Sequence, residues 1–581
     1  MSSSMESFEP NKNFKDLKNK IVTIDVIAET IGLDPNLAKE RSNYILQIQE
    51  LESAKLQDLQ QKSRCRWTLE GDENSAFFHG QLKSNLKINR LNGVNIDGVW
   101  ESKPEVIKNE AWKTFKEKFS EPCPDRPKLN SSRFKSLSQA DRDHLESPFS
   151  ADEIKSAIWS CGNEKAPGPD GFNLNFIKKY WVTLGPDFVN AVQHFATHKH
   201  LNPGSNSSFI TLVPKTSDPL SLQDFRPINL IDTITKVISK TLTIRLKPFM
   251  AKLISKEKTA FISGRDILDG PLMLNEVISW AKRSKKSMFL FKADFEKAFD
   301  SVNWRFIDHV MDQMGFGVTW RTWIQAILST AKVSVLVNGS PSKEFRMERG
   351  IRQGDPLSPY LFLIVAEGLN VVMAEAVDKG IFKGVKLPNE GPQLSIFQYV
   401  VASGLKVNHG KCKVMVTGVS HEEVTSMASL LRCGVGSLPF KFLGMPVGGS
   451  MSRVGNSASL ADNFHRKLSA WKARSLSIGG RLTLCKVVLG SLGLYIFSMY
   501  LSPMQKVLNS KGSGGLGIRS LRALNIALLF RWWWRFKANN SGLWREVIVS
   551  FYGANGGLGV FLFPKAGREL RGGVFVKSTI C

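Results

Sequence analysis

The sequence predicts a chain of mixed helices and strands that is divided into several domains. Its 581 residues exceed the size of one ordinary domain, and hydrophobic residues make up 42% of them, enough for sizeable cores. Short apolar runs typical of strands, such as 209–215 and 287–292, occur between longer segments with helical periodicity. These observations predict that both element types occur in the central part of the chain.

The N-terminal segment, residues 1–63, predicts a charged amphipathic helix that could be one arm of a helical pair. Lys, Glu, Gln and Leu dominate it, and Ile45, Ile48 and Leu51 fall at helical spacing. The first residues lack the apolar region of a secretory signal. We therefore expect an intracellular protein, in the nucleus or the cytoplasm.

The next segments predict helices alternating with a strand. Ser150 followed by Glu153 is a capping box that begins a helix. Residues 163–181 are a loop rich in Pro and Gly that leads into a helix, and 209–215 is a strand. Residues 225–250 predict a loop followed by a long helix.

The central segments predict a strand, a hairpin and a long helix. Residues 287–304 begin as an apolar strand and continue in a helical pattern, and 331–350 predict a hairpin that turns at Asn338–Gly339. The segment 354–377 predicts a long helix with Asp355 as its N-cap.

The charge is strongly positive and unevenly distributed. The chain has 78 Lys and Arg against 52 Asp and Glu, a net charge of +26, and residues 401–581 hold 24 basic and 5 acidic residues. A polyanion such as nucleic acid is the favoured partner, and a basic surface without a partner is the alternative.

The sequence favours no zinc site, disulfide framework or membrane span. The seven cysteines form no CxxC or Cys/His ligand spacing, and no run of 18 apolar residues occurs. The cysteines are Cys65, Cys123, Cys161, Cys412, Cys433, Cys485 and Cys581.

Two stretches carry residues suited to phosphate chemistry. Asp294 lies where a predicted strand ends, at the edge of a sheet where ligands bind, although a lone Asp there is usually a helix cap. In the second stretch, Gln353 offers a donor and an acceptor to a base or sugar, and Gly354 allows close approach of the backbone. A simple junction between loop and helix explains Asp355 but not the Arg352–Gln353–Gly354 run before it.

The segments FKADFEKAFDSVNW and RGIRQGDPLSPYLFLIVAEGL resemble the reverse transcriptases of non-LTR, LINE-type retrotransposons in their plant form. The resemblance covers roughly residues 60–550, and an ordered series of segments is far more specific than one motif. The other matching segments, in order, are KSRCRWTLEGDENSAFFH, KAPGPDGFN, FITLVPK with FRPINLI, AFISGRDILDG, SGLKVN, LPFKFLGMPVGG, LSIGGRLTLCKVVL and GGLGIRSLRALNIALL.

This resemblance implies an α+β right-hand polymerase with fingers, palm and thumb and an N-terminal helical extension. The implied divisions are 1–63 for the charged helical segment, 64–146 for the reverse-transcriptase N-terminal extension, 147–270 for the fingers, 271–410 for the palm, 411–503 for the rest of the palm and the thumb, and 504–581 for a truncated basic segment.

The resemblance also implies roles for individual residues. Lys215 and Arg226 would lie near the incoming triphosphate. Asp294 would be the first metal-binding aspartate, and Phe295 could add its backbone carbonyl. Phe299 would lie beneath the sugar and exclude a 2′-hydroxyl.

Further along the chain, Gln353 and Gly354 would line the nucleotide pocket, and Lys411 is a candidate proton donor to pyrophosphate. The implied cofactor is Mg²⁺. The implied partners are an RNA template, a DNA primer and a deoxynucleoside triphosphate (dNTP), without a membrane; the oligomeric state stays open.

One departure from the family affects the metal site. Members carry Ala-Asp-Asp on a hairpin after an aromatic residue, whereas here Tyr399 is followed by VVASGLKVN, and no Asp or Glu occurs between Glu390 and Glu422. Nucleotidyl transfer needs two Mg²⁺ ions about 4 Å apart, held by more than one carboxylate. The sequence therefore predicts that the hairpin is deleted, that the palm sheet is broken and that the chain is inactive.

The predicted deletion leaves a join at residues 400–402, and residues 502–518 contain a second place where the chain is shorter than in the family. The two joins together point to mis-splicing, an artefact of the gene model or decay. Two main hypotheses remain: an RNA-directed DNA polymerase, and a non-catalytic remnant that binds RNA or DNA through its basic face. A group II intron maturase is a third, which LEGDENSAFFH and GGLGI disfavour. FRWWWRFK, residues 530–537, could stack on bases but favours packing of an amphipathic helix.

Overall fold

A computed structural model describes most of the chain. The described residues are 10–32, 34–63, 75–123, 126, 128–163, 165–202, 204–381, 383–394, 406–449, 498–499, 521–538 and 542–556. They belong to two compact units, and the first division along the chain comes between Ile88 and Asn89. Tyr399, the join at 400–402 and the segments 476–497 and 502–518 lie outside the described residues.

The first unit is helical where it is described. It contains α1 (Pro10–Ile31), α2 (Pro35–Ser63) and most of α3 (Ser75–Asn89). α1 and α2 pack as a pair, and the Arg41 guanidinium donates to the Asp25 carboxylate over 2.6 Å. The helix predicted for 1–63 is therefore two helices.

The second unit mixes helices with small sheets, which confirms the coarse α+β prediction. Its helices are α4 (Pro104–Phe119), α5 (Gln139–Glu146), α6 (Ala151–Trp159), α7 (Leu174–Lys179), α8 (Trp181–His198), α9 (Thr233–Leu246), α10 (Met250–Leu253), α11 (Asp269–Arg283), α12 (Trp304–Gln313), α13 (Val318–Ser329), α14 (Ser358–Asp378), α15 (His421–Leu430), α16 (Leu521–Ala538) and α17 (Leu543–Tyr552). Its strands are β1 (Val94–Ile96), β2 (Val99–Glu101), β3 (Ser207–Pro214), β4 (Phe225–Ile231), β5 (Met288–Lys292), β6 (Phe295–Glu296), β7 (Lys332–Val337), β8 (Ser340–Pro341), β9 (Phe345–Arg346), β10 (Val385–Lys386), β11 (Gln393–Leu394), β12 (Lys406–Val407), β13 (Lys413–Thr417), β14 (Gly434–Val435), β15 (Phe440–Phe442) and β16 (Met445–Val447).

A five-stranded sheet has the order β4-β3-β7-β8, with β9 also paired to β7. β3 is antiparallel to β4 and parallel to β7. Asn338 and Gly339 turn the β7–β8 hairpin with positive φ angles of 50° and 87°, which confirms the predicted turn.

β4 corrects the loop that the sequence predicted after residue 225. Phe225, Pro227, Asn229 and Ile231 alternate inward and are buried, so the strand has the expected period of two. A proline and an asparagine at two of the inward positions hide that period from an analysis of hydrophobicity.

A second sheet has the order β14-β13-β5, and the short strands β6 and β12 pair with each other. β5 ends at Lys292, and the next helix, α12, begins only at Trp304. The helical pattern predicted directly after the strand is therefore wrong. The Asn303 side chain accepts a hydrogen bond from the Phe306 N–H and sets the start of the helix downstream of the predicted position.

α14 begins at Ser358, after the predicted N-cap. The Asp355 carboxylate accepts from the Leu357 N–H, the Ser239 hydroxyl and the Arg352 guanidinium inside the protein. Asp355 therefore joins the loop to α9. By length and apolarity α14 could span a membrane, yet Leu361, Ile364 and Val365 lie in the largest core.

Three large cores hold the second unit together. α6, α8, α9, α12, α13 and α14 share the largest, and α4 packs against the five-stranded sheet in another. α11, α16 and α17 form the third, where Trp532 and Phe536 of α16 are 5% and 2% exposed. Packing thus explains two of the aromatic side chains in FRWWWRFK.

Candidate active site

Asp294 lies between β5 and β6, where its backbone contacts a later segment of the chain, residues 408–412. Its backbone N–H donates to the Cys412 thiol over 3.2 Å, and its carbonyl accepts from the Asn408 N–H over 2.8 Å. Phe295 follows in β6, paired with Val407 of β12, and its N–H donates to the Asp294 carboxylate. The segment that follows the join therefore lies directly beside Asp294.

These neighbours add no ligand to a site for two magnesium ions. The contacts from residues 408–412 are made to the Asp294 backbone by a thiol and a backbone amide, whereas Mg²⁺ prefers carboxylate and other hard oxygen ligands. Within the described residues, no cluster of three or more Asp, Glu, His or Cys side chains could hold a metal ion. Asp294 and the Phe295 carbonyl would be one fragment of such a site.

Asp300, six residues after Asp294, belongs to a buried polar network. It is 4% exposed, and its carboxylate accepts from the Lys118 ammonium over 2.6 Å and from the Gln353 amide over 3.1 Å. The Gln353 carbonyl accepts from the Asn229 N–H of β4 over 2.7 Å. Asp300 therefore holds Gln353 in place.

The loop that carries Gln353 and Gly354 is held closely against its neighbours. A Cβ atom on Gly350 would lie 2.5 Å from the Asp300 carbonyl oxygen, and one on Gly354 would lie 2.7 Å from the Asn229 carbonyl oxygen. Both glycines have positive φ angles, of 85° and 117°. Close packing of the backbone against β4 thus explains why residue 354 is a glycine, and no ligand is needed to explain it.

The arginines of this loop also have internal partners. Buried Arg352 donates to the Asn206 side chain over 2.5 Å and pairs with Asp355 over 3.2 Å. The Arg349 guanidinium donates to the Lys118 carbonyl over 3.1 Å. The Arg–Gln–Gly run therefore attaches the loop to α4, β4 and the start of β3.

Cationic side chains gather beside this loop. Lys215 follows β3 and donates to the Gln223 carbonyl over 2.5 Å. Arg226 of β4 is exposed and lies opposite Val213 of β3. Burial, together with the nearby positive charges of Lys118, Lys411 and Arg226, lowers the pKa of Lys215. We call Lys118, Lys215, Arg226 and Lys411 the cation cluster.

Phe299 lies between the loop and the largest core. Its ring stacks on Phe362 of α14 with centroids 4.6 Å apart and planes 14° from parallel, and its carbonyl accepts from the Ile351 N–H. Phe299 is thereby fixed near Gln353.

Lys118 belongs to α4, and its role in the site cannot be seen in the sequence. Its ammonium lies 5.2 Å and 5.8 Å from the ring centroids of Phe115 and Phe119, and its side chain is 11% exposed. Pairing with a distant Asp300 leaves no trace in local sequence, so nothing distinguishes this lysine from its neighbours Lys113 and Lys116.

Comparison with known proteins gives these features a context. Residues 213–381 match the family model described as reverse transcriptase (RNA-dependent DNA polymerase). This range includes Lys215, Arg226, Asp294, Phe299 and Gln353, whereas Lys118 and Lys411 lie outside it.

Named relatives extend the similarity. The chain is 25% identical over 471 residues to the transposon TX1 uncharacterized 149 kDa protein of Xenopus laevis, covering 77% of this chain and 36% of that protein. It is 29% identical over 229 residues to the retrovirus-related Pol polyprotein from the type-1 retrotransposable element R2 of Popillia japonica, covering 39% of this chain and 31% of that protein. It is 26% identical over 229 residues to the corresponding polyprotein from element R2DM of Drosophila melanogaster, covering 38% and 21%.

The chain thus spans about a third of the length of the first two relatives. The family predicted from the sequence is confirmed, while its plant form stays a prediction. Residues 213–381 are a reverse-transcriptase domain, and the chain is a homologue of the LINE-type, non-LTR retrotransposon proteins.

Proposed function

We propose that this chain keeps the nucleotide-binding part of a reverse transcriptase but has lost the metal-binding part, so that it binds dNTPs and nucleic acid without polymerising. The observation that carries the proposal is the environment of Asp294. Residues 406–412 contact its backbone through a thiol and an amide and contain no carboxylate, while the cation cluster lies near the adjacent loop.

In this proposal β3 and β4 with α6–α9 correspond to the fingers at 147–270, and β5–β12 correspond to the palm at 271–410. β13 belongs to the rest of the palm after residue 411. The matched domain, 213–381, includes parts of both. The thumb and the C-terminal division stay as the resemblance implies, with boundaries at 411–503 and 504–581.

The cation cluster suits a triphosphate. Asp300 already neutralises Lys118, which leaves Lys215, Arg226 and Lys411 as three positive groups near one another. Such a group is costly without an anion, and a dNTP supplies up to four negative charges. Lys215 and Arg226 would neutralise phosphate oxygens, Lys411 would donate a proton to pyrophosphate, and Gln353 and Gly354 would line the pocket. Phe299 would lie beneath the sugar.

The metal site explains the expected lack of turnover. Two Mg²⁺ ions would supply stabilisation of the attacking and leaving oxygens, and this is worth several kcal/mol. Because each ~1.4 kcal/mol is a factor of ten in rate, losing it removes useful activity. The alternative, an active RNA-directed DNA polymerase, rests on the family match to residues 213–381.

Primer extension separates these two functions. We expect no product from an RNA template, a DNA primer, dNTPs and Mg²⁺ above that of an Asp294→Ala control. Robust product above the control would overturn the proposal. Sequencing the genomic DNA around codons 399–403 adds a second check, because a skipped in-frame segment encoding Ala-Asp-Asp would show that the cellular protein differs from this chain.

Nucleotide binding tests the part that we propose is kept. Lys215→Ala should weaken dATP binding about tenfold or more, because a hydrogen bond between charged groups contributes about 1.5–3 kcal/mol. Lys379→Ala, an exposed lysine after α14, is the matched control. Equal affinities in calorimetric titration of both variants, or no dATP binding by the unmodified chain, would exclude the nucleotide site.

A further inference from the structure

An exposed row of aromatic rings runs along α7 and its flanks. Phe172, Phe176 and Tyr180 are 50%, 40% and 47% exposed. The first two rings stack with centroids 5.1 Å apart and planes 23° from parallel, and the second pair is 4.8 Å apart. These contacts bring the three rings together, with Phe172 before the helix, Phe176 within it and Tyr180 at its end. We call these residues the aromatic row.

The aromatic row is not needed to pack α7. The opposite side of the same helix buries Leu174 and Ile177 in the largest core. Three large rings therefore remain in solvent on a helix that already has its core contacts, and such a patch marks a binding surface.

The helix that carries the row is held in place at both ends. The Asn173 side chain accepts from the Phe176 N–H over 2.9 Å and begins the helix. Near its end, the Lys178 ammonium donates to the carbonyls of Trp159 and Cys161 and to the Asn163 side chain, over 2.6 to 3.1 Å. The rings are thus presented on a fixed support, which reduces the entropy lost on binding.

Exposed lysines lie close to the rings along the chain. Lys179 is exposed three residues after Phe176, and Lys165 is exposed in the preceding loop. Residues 155–180 contain four lysines and two acidic residues, a net of +2. One of those acids, Asp170, accepts from the Thr233 N–H over 2.7 Å. Aromatic rings near exposed cations suit a partner with both bases and phosphates.

The row is connected to the candidate active site through β4. Gly168, in the loop before the row, packs so closely that a Cβ atom would lie 2.5 Å from the Ile231 carbonyl oxygen at the end of β4. Arg226 of the cation cluster lies five residues back along that strand, about 17 Å at 3.3 Å per residue. A strand of several nucleotides could therefore contact both places.

We propose that the aromatic row binds unpaired bases of single-stranded RNA by stacking, an inference that rests on the proposed function because the RNA would be the template. Stacking requires bases that are free of a partner strand, which separates this surface from one that only attracts phosphates. The exposed lysines make the surface less suited to a protein partner, because lysine is depleted at protein interfaces.

The test is RNA binding by the full chain, measured by fluorescence anisotropy. The probes are a labelled 12-nucleotide oligouridine and an RNA duplex of 12 base pairs. The variant Phe172→Ala/Phe176→Ala/Tyr180→Ala should bind the single strand at least about tenfold more weakly, whereas its duplex affinity should stay within about twofold. Phe176→Tyr/Tyr180→Phe keeps the rings and should bind like the unmodified chain.

A matched control removes exposed aromatic rings elsewhere. Phe530 and Trp534 of α16 are 55% and 62% exposed, so Phe530→Ala/Trp534→Ala tests whether any exposed ring would serve. The proposal is overturned if this control loses single-strand affinity equally, if both probes weaken in parallel for the row variant, or if the unmodified chain binds no single strand. A change in oligomeric state of the row variant, seen by sedimentation, would assign the row to a protein contact instead.

The dATP titration distinguishes this proposal from the proposed function. The row variant should keep the dATP affinity of the unmodified chain, because the row and the cation cluster share no residue. If the row variant binds both dATP and single-stranded RNA like the unmodified chain, only the proposal for the aromatic row is rejected. If the unmodified chain does not bind dATP, the nucleotide site is rejected.

Discussion

Lys118 and Asp300 form a buried ion pair, and the Asp300 carboxylate also accepts a hydrogen bond from the Gln353 side chain. We expect Lys118→Met to lower the free energy of unfolding by about 3–5 kcal/mol, since it leaves the Asp300 carboxylate buried without its cation. Lys118→Met/Asp300→Asn should recover much of this loss, because an amide carries no charge and can still accept from Gln353. Urea unfolding measures both, and a loss below 1 kcal/mol for the single variant would contradict a structural role for the pair.

Asp232, the N-cap of α9, gives a residue-scale prediction about pH. Burial, and then its hydrogen bond to the Asp170 carboxyl and the charge of that group, raise the pKa of Asp232 to about 7, against the weaker opposing effects of the Thr233 N–H and then Lys236. The folded chain therefore binds more protons than the unfolded chain between about pH 4 and 7, so stability falls as pH rises through this window.

Asp232→Asn should remove this part of the pH dependence while keeping an oxygen that can accept from the Thr233 N–H. Melting temperatures at pH 5 and pH 8 measure the effect, and we expect a smaller difference for the variant than for the unmodified chain. An identical difference in both proteins would show that another group titrates.

Single residues also show what the sequence could predict. Local patterns indicate Asp294 and Gln353, the family resemblance indicates Lys215, and the structure brings Lys215 near Lys411 and Gln353 near Asp300. The partners that set their environment could not be identified, because Lys118 and Cys412 act through contacts between distant parts of the chain. The roles of the motif residues in binding nucleotide stay predictions.

Helices and strands were likewise predictable where local preference decides them and not where distant contacts do. The β7–β8 hairpin was predictable because Asn-Gly has a strong local preference for its turn. The start of α14 was not, since Asp355 is a good N-cap by sequence but is used in a buried contact with α9 and the loop. Tertiary contacts override local preference where an element meets the site.

The contact between the 349–354 loop and β4 gives an element-scale prediction. Gly354→Ala should destabilise the protein by more than about 2 kcal/mol, because its φ of 117° is strained for alanine and the new methyl group would meet the Asn229 carbonyl. Gly380→Ala is the matched control, with a φ of 68° and no atom within 4 Å of the added carbon.

The Gly380→Ala control should therefore lose only about 1 kcal/mol of stability, because its backbone is strained but the new methyl group meets no atom. Thermal unfolding of the two variants compares them directly. If Gly354→Ala were no worse than Gly380→Ala, the close approach of the loop to β4 would not contribute to stability.

At the scale of the whole molecule, the family and the absence of Asp and Glu from residues 391–421 are both visible in the sequence, but their consequences differ. The family follows from many segments that no short deletion erases, and comparison with known proteins confirms it. The effect of that absence depends on which groups surround Asp294. Among the described residues, Asn408 and Cys412 contact its backbone, and no motif specified them.

The net charge of +26 predicts how the whole chain should bind RNA. If about five phosphates are neutralised, the logarithm of affinity should fall with the logarithm of salt concentration at a slope near −3.5, a loss of about 100-fold between 50 and 200 mM KCl. An uncharged peptide nucleic acid of the same sequence is the control and should show almost no salt dependence. Removing the aromatic row should lower RNA affinity at every salt concentration without changing the slope, because stacking releases no counterions. A slope near zero for RNA would exclude the basic face as the source of binding.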